Sequence, residues 1–89
     1  MLAMAGGSAV EMYYTYILRS EKDKKLYVGF CNDLKRRFIE HKEGKVDATK
    51  YRRPLSLVYY EACLDKDKAV KREKYFKSGF GRRYLISRI

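Results

Sequence analysis

Glu73 is the residue whose surroundings most need a chemical explanation. The spacing predicts a helix running from Asp65 or Asp67 to about Lys77, with Ala69, Val70 and Phe76 on its apolar face and Glu73 near the middle of that face. Lys66, Lys68, Lys71, Arg72, Lys74 and Lys77 surround it. A carboxylate so placed costs free energy unless it is paired or binds a cation. Two chemistries satisfy it: an internal salt bridge to one of those cations, the commoner case for a buried charge, or a bound cation. A second concentration of chemistry lies upstream. Lys35, Arg36 and Arg37 crowd the first turns of another predicted helix, against a dipole that favours anions there, and three cations so placed point to an outside anion, phosphate first. Arg37 and His41 stand at i and i+4, so their side chains can meet. A guanidinium can grip two phosphate oxygens; the plainer readings are a solvated surface cation and a half-buried histidine closing the core stripe.

These residues need elements to hold them. Tyr13 to Leu18 is aromatic and β-branched, a strand with Tyr14, Tyr16 and Leu18 on one face and Tyr13, Thr15 and Ile17 on the other. Arg19 to Lys25 reads as a hairpin connection, and Leu26 to Cys31 alternates as a second strand. Gly29 inside that strand marks a bulge or a close backbone approach. Asn32 and Asp33 offer N-cap oxygens to a helix over roughly residues 33–43, on which Leu34, Phe38 and His41 share a stripe with Arg37 on its flank, and Gly44 supplies the stop. Lys45 to Arg53 is a basic loop that adds Lys50, Arg52 and Arg53 to the candidate nucleic-acid contacts Lys35, Arg36 and Arg37. It ends at Pro54, the chain's one proline. Leu55 to Ala62 is a third strand. The Asp65 to Lys77 helix follows, closed by Ser78-Gly79, and Arg82 to Ile89 reads as a short amphipathic helix with Tyr84, Leu85 and Ile89 turned inward. The order β-β-α-β-α-α gives an α+β fold, a three-stranded antiparallel sheet flanked by helices. Residues 1–11 read as a disordered leader or upstream extension ahead of a single domain over residues 12–89.

Bulk properties narrow the partner. The 89 residues allow one domain with one modest core. Twenty-one Lys and Arg against eleven Asp and Glu leave a net charge of +10, with a sequence pI near 9.7. That favours a polyanion, DNA or RNA before an anionic membrane surface. No apolar run approaches the roughly 18 residues of a membrane span. Two cysteines, one histidine and no CxxC argue against a zinc site, and the cysteines read as reduced thiols of a cytoplasmic protein.

A Tyr-Thr-Tyr triplet (Tyr14, Thr15, Tyr16) precedes Tyr27-Val28-Gly29 by about ten residues. The helix with Arg37 and then His41 one turn later follows, and Glu73 lies far downstream. In this order the chain resembles the GIY-YIG nuclease superfamily, most closely the small stand-alone bacterial members related to the amino-terminal nuclease domain of the bacterial excinuclease. The resemblance runs from about Met12 to about Leu85. It implies a sheet with the first strand central and a catalytic set of Tyr16, Tyr27, Arg37, His41 and Glu73. Glu73 then takes the place of the metal-binding glutamate for a single Mg²⁺ or Mn²⁺, Arg37 holds the scissile phosphate, and one tyrosine activates water while the other positions it, Tyr27 being the favoured base. Two positions depart from the pattern. Phe30 stands where excinuclease-type domains carry lysine, and Arg83-Tyr84-Leu85 occupies a region where many members have asparagine.

The reading that follows is a metal-dependent endonuclease acting on DNA, in repair or recombination, with RNA an open alternative substrate. A nucleic-acid-binding module with little or no cleavage is the second reading. Oligomeric state is not legible in the sequence.

Overall fold

The computed structural model describes residues 11–89, so the expected leader lies outside the described residues except for Glu11. Three strands are observed, β1 (Tyr13–Ser20), β2 (Leu26–Cys31) and β3 (Leu55–Cys63), with three helices, α1 (Leu34–Lys42), α2 (Lys66–Phe76) and α3 (Gly79–Ile86), and a single 3₁₀ turn over Lys50–Arg52. The sheet is antiparallel in the order β2-β1-β3, so β1 is central. Tyr16 faces Gly29 on one side and Tyr60 on the other. Between Ile17 and Leu18 the β1–β3 register slips, Ile17 pairing with Tyr59 and Leu18 with Leu57, which leaves Val58 as the extra residue of a bulge.

A central strand covered on both faces must be apolar on both, and Thr15, Tyr16, Ile17 and Leu18 are all buried. One layer packs Tyr16, Leu18 and Leu55 against Tyr27, Leu34, Phe38 and Leu57, which seats α1. The other packs Ile17 with Phe76 and Leu85 against Val28, Val58, Tyr59 and Tyr84, which seats α2 and α3. Thr15 Oγ1 donates to the Ala69 carbonyl at 2.9 Å and pins α2 to the sheet.

The helix ends follow from local chemistry. Asp33 and Asp65 cap α1 and α2 by accepting from the amides of Arg36 and Lys68, each at 3.1 Å. Gly44, at φ +77°, takes the left-handed turn after α1. The third helix begins three residues earlier than expected. Ser78 closes α2 as expected, its amide and hydroxyl both donating to the Tyr75 carbonyl, and it also caps α3 by accepting from Gly81 N at 3.2 Å. Gly81 falls inside α3 because that helix crosses the end of α2, and a Cβ there would collide with the Tyr75 carbonyl.

Candidate active site

Four of the five expected catalytic side chains meet on the α1 side of the sheet. Tyr16 rises from β1, Tyr27 from β2, and Arg37 and His41 from α1. The ring centroids of Tyr16 and Tyr27 lie 5.6 and 5.3 Å from that of His41, both edge-on, and 6.4 Å from each other. Tyr16 Oη is 2.8 Å from His41 Nε2, and the Arg37 guanidinium is near enough for its charge to act on both Tyr16 and His41. Gly29 makes this packing possible. The Tyr16 ring crosses β2 directly over it, where any Cβ would overlap the ring.

Burial sets the electrostatics of this group. Tyr16 is 1% exposed and His41 0%. Desolvation pushes the Tyr16 phenol up to about 12, against the lowering effect of Arg37. Desolvation first, and the Arg37 charge second, hold His41 down to about 4, with Glu40 opposing. His41 is therefore a neutral imidazole at physiological pH, fixed in place rather than poised to titrate. Tyr27 is only half-buried. Arg37 keeps one partner, Glu40, at 3.1 Å, and stays partly open to solvent.

Glu73 comes from α2, the helix on the other layer. It is half-buried, and its carboxylate meets Lys77 Nζ at 3.4 Å, one turn on. The Lys77 side chain is 56% exposed, so this pair is solvated and weak. Tyr27 and Lys77 line one open groove of about 720 Å³ along the β2 edge, together with Lys24, Lys25, Phe76 and Arg82. The groove lies where β2 meets α2 and α3, and its lining includes neither Glu73 nor Tyr16, Arg37 and His41. Among the described residues no group of three or more His, Cys, Asp or Glu could hold a metal. The donor set available is a single half-buried carboxylate, which fits an ion that keeps most of its waters and takes its remaining ligands from substrate phosphate.

The expected nucleic-acid contacts divide. Lys35 and Arg36 are exposed on α1. Lys50 reaches Asp47 at 3.3 Å and lies over the Tyr51 ring. Arg52 pairs with Asp23 at 3.2 Å, and Arg53 donates to the carbonyls of Lys50 and Lys42. The last two hold the loop as well as carrying charge.

Three features had no sequence signal. Thr49, in the basic loop, is fully buried with Oγ1 2.7 Å from His41 Nδ1. Lys24, Lys25 and Arg82 join the groove only through the fold. Arg72, one of the cations around Glu73, turns away from it; it makes a two-point contact with Glu61 at 2.8 and 3.0 Å and lies within 4.9 Å of the rings of Tyr75, Phe76 and Tyr84.

Known proteins agree with this architecture. The family model of the GIY-YIG catalytic domain matches residues 12–84. A UPF0213 protein of Lactiplantibacillus plantarum is 42% identical over 78 residues, covering 82% of this chain and 74% of that one. A UPF0213 protein of Streptococcus pyogenes serotype M5 is 45% identical over 65 residues, covering 72% and 70%. The solution structure of a UPF0213 protein from Bacillus halodurans superposes with a TM-score of 0.55 at 33% identity, covering 85% of this chain and 83% of that one.

Proposed function

The chain belongs to the GIY-YIG family, whose domain is a nuclease domain acting on nucleic acid, and from that membership we propose that it is a metal-dependent endonuclease hydrolysing phosphodiester bonds in DNA, in repair or recombination. The observation that carries the reading is the packing of two tyrosines around a buried neutral histidine, beside the partly open guanidinium of Arg37. Packing residues alone have no need of a partly open guanidinium beside them.

In this reading the scissile phosphate sits against Arg37, whose donors bind its oxygens and stabilise the charge that builds in the transition state. Tyr27, half-buried beside His41, meets the attacking water. Tyr16 is enclosed and orients the reacting group. A free phenol has a pKa of about 10, so Tyr27 needs the surrounding cations to act as a base. Glu73 is the residue that would hold Mg²⁺ or Mn²⁺, and the ion's contribution is to neutralise phosphate charge and acidify water. Lys24, Lys25, Lys77 and Arg82 carry the strand along the β2 edge. Among the described residues no helix is long and apolar enough to cross a membrane, and the +10 charge is better used on nucleic acid.

The test is cleavage of plasmid, branched and single-stranded DNA, with a matched RNA arm, in Mg²⁺ or Mn²⁺ and again after chelation. Metal-dependent nicking supports the reading. Tight, salt-sensitive binding with no nicking on any substrate would assign the protein to the binding-module class.

A further inference from the structure

We propose that the groove between α1 and β3 is a stacking site for an unpaired nucleobase, with Tyr60 as its platform, and that the substrate is therefore nucleic acid carrying unpaired bases, as in a single strand, a flap or a bulge. The proposal deepens the reading above and rests on its nucleic-acid half, not on cleavage.

Tyr16 and Tyr60 are cross-strand partners on β1 and β3, so they stand side by side on one face of the sheet. Tyr16 is 1% exposed and Tyr60 53%. One tyrosine is sealed in the core and its neighbour, on the edge strand, is left open. A lone surface tyrosine is ordinary, but Tyr60 borders an open groove of about 650 Å³ whose walls include Tyr14 and Phe38. The Tyr14 and Tyr60 rings lie 6.2 Å apart, tilted by 56°. That volume falls in the range of small-ligand sites. Bases stack on aromatic side chains with little regard to sequence, because every base has a π-face. In a duplex those faces are covered by neighbouring bases, so the groove takes only a base that has left the stack.

The rim supplies the charge. Lys35 and Lys42 line the groove two turns apart on α1. Both are exposed and, among the described residues, neither is in an ion pair. Lys42 Nζ lies 5.7 Å from the Phe38 ring centroid, which holds its charge beside the aromatic wall. Asp33, the carboxylate on the rim, is occupied as the cap of α1, accepting from the Arg36 amide. Two ammonium groups beside aromatic walls fit a base with its flanking phosphates. A second copy of this chain fits poorly. Two-fold pairing of β3 edges is the other use of an open edge strand, and it would bring the same lysines together from two chains of charge +10.

The chain has no tryptophan, so Tyr60→Trp places a single fluorophore at the groove. In metal-free, low-salt buffer a single-stranded DNA oligonucleotide should quench its emission, and an abasic strand of the same length should not. By fluorescence anisotropy, Tyr60→Ala should bind the single strand at least about tenfold more weakly than wild type. Tyr60→Phe should bind it like wild type, and a blunt duplex should bind all three alike, which also shows the variants to be folded. A ribonucleotide strand of the same sequence is run in parallel; a Tyr60 effect on either strand supports the site, and the tighter strand identifies the sugar. Single-strand affinity unchanged in Tyr60→Ala, or abasic strands bound by wild type as well as normal ones, would overturn the proposal. A dimer in sedimentation that Tyr60→Ala dissolves, with strand affinity unchanged, would assign the groove to self-association instead. A protein that binds neither strand nor duplex at low salt would contradict the nucleic-acid reading itself. Tyr60-dependent binding without cleavage of any substrate would support the stacking site and contradict only the nuclease.

Discussion

Gly29 faces Tyr16 across the β1–β2 pair, and the volume a Cβ would need at Gly29 is filled by the Tyr16 ring. The third residue of the Tyr27-Val28-Gly29 triplet therefore exists for the sake of a side chain on the neighbouring strand. Without the glycine, the Tyr16 hydroxyl could not lie where His41 meets it.

Gly29→Ala should accordingly act through Tyr16. The ring is buried and hydrogen-bonded, so it cannot give way cheaply. A destabilisation of about 1–3 kcal/mol is expected for overpacking of this kind, measured by chemical denaturation, together with loss of activity greater than the loss of folded protein explains. An alanine variant as stable and as active as wild type would mean that the close approach has no structural weight.

The buried His41 makes a pH prediction. Its folded pKa of about 4 lies below the ordinary value of 6.5, so the unfolded chain binds the extra proton first. Stability from this group is complete above about pH 6.5 and is lost as pH falls toward about 4, by up to about 3 kcal/mol. Carboxylates that lose stability in acid act in part of the same range, so the comparison is with His41→Gln. The variant should be less stable at neutral pH and should show a shallower decline between about pH 6.5 and 4.5. Parallel curves for the two proteins would contradict the neutral, buried assignment.

The fold was legible because its signals are local. The strand periods, Asp33, Asp65 and the left-handed Gly44 are each read within a few residues, and the strand order came with the family resemblance. Ser78 shows where local reading stops. The Ser-Gly pair does end α2, but the same serine also starts α3, and that start is decided by packing across α2. Thr49 and Arg72 were illegible for the same reason. Nothing at i±4 marks a threonine that meets a histidine eight residues away in a loop, or an arginine that leaves its neighbour Glu73 for Glu61 on β3. Tyr16, Tyr27, Arg37 and His41 were legible as a set of types and spacings, and the fold adds that the first and last are sealed while the other two stay partly open.

Arg72 should matter to stability and not to cleavage. Its guanidinium joins β3 to α2 through Glu61 and lies among three aromatic rings. Arg72→Ala is expected to cost about 2 kcal/mol, combining a two-point ion pair with cation–π contacts. Arg72→Lys should recover only part, because lysine lacks the planar fork. Thermal unfolding checks both, and the folded variants should cut at the wild-type rate.

Nucleic-acid affinity should fall steeply with salt. For about six neutralised phosphates the slope of log K against log salt is roughly −5. Lys35→Ala and Arg36→Ala, both exposed positions, should each flatten the slope by about 1. Arg52→Ala should weaken the fold more than the slope, since Arg52 is tied to Asp23. Binding that ignores salt would remove the charged surface from the account.

The measurement that bears most directly on the mechanism is Glu73→Gln, assayed for nicking and thermal unfolding on one preparation. The pair with Lys77 is long and solvated, so its loss should change stability by no more than about 0.5 kcal/mol. Cleavage should fall by orders of magnitude because the carboxylate that would hold the metal is gone, while metal-free DNA affinity stays level or rises. A variant destabilised by about 3–5 kcal/mol, the cost of breaking a buried ion pair, whose remaining folded fraction cuts at the wild-type rate would make Glu73 a structural residue and contradict the proposed mechanism.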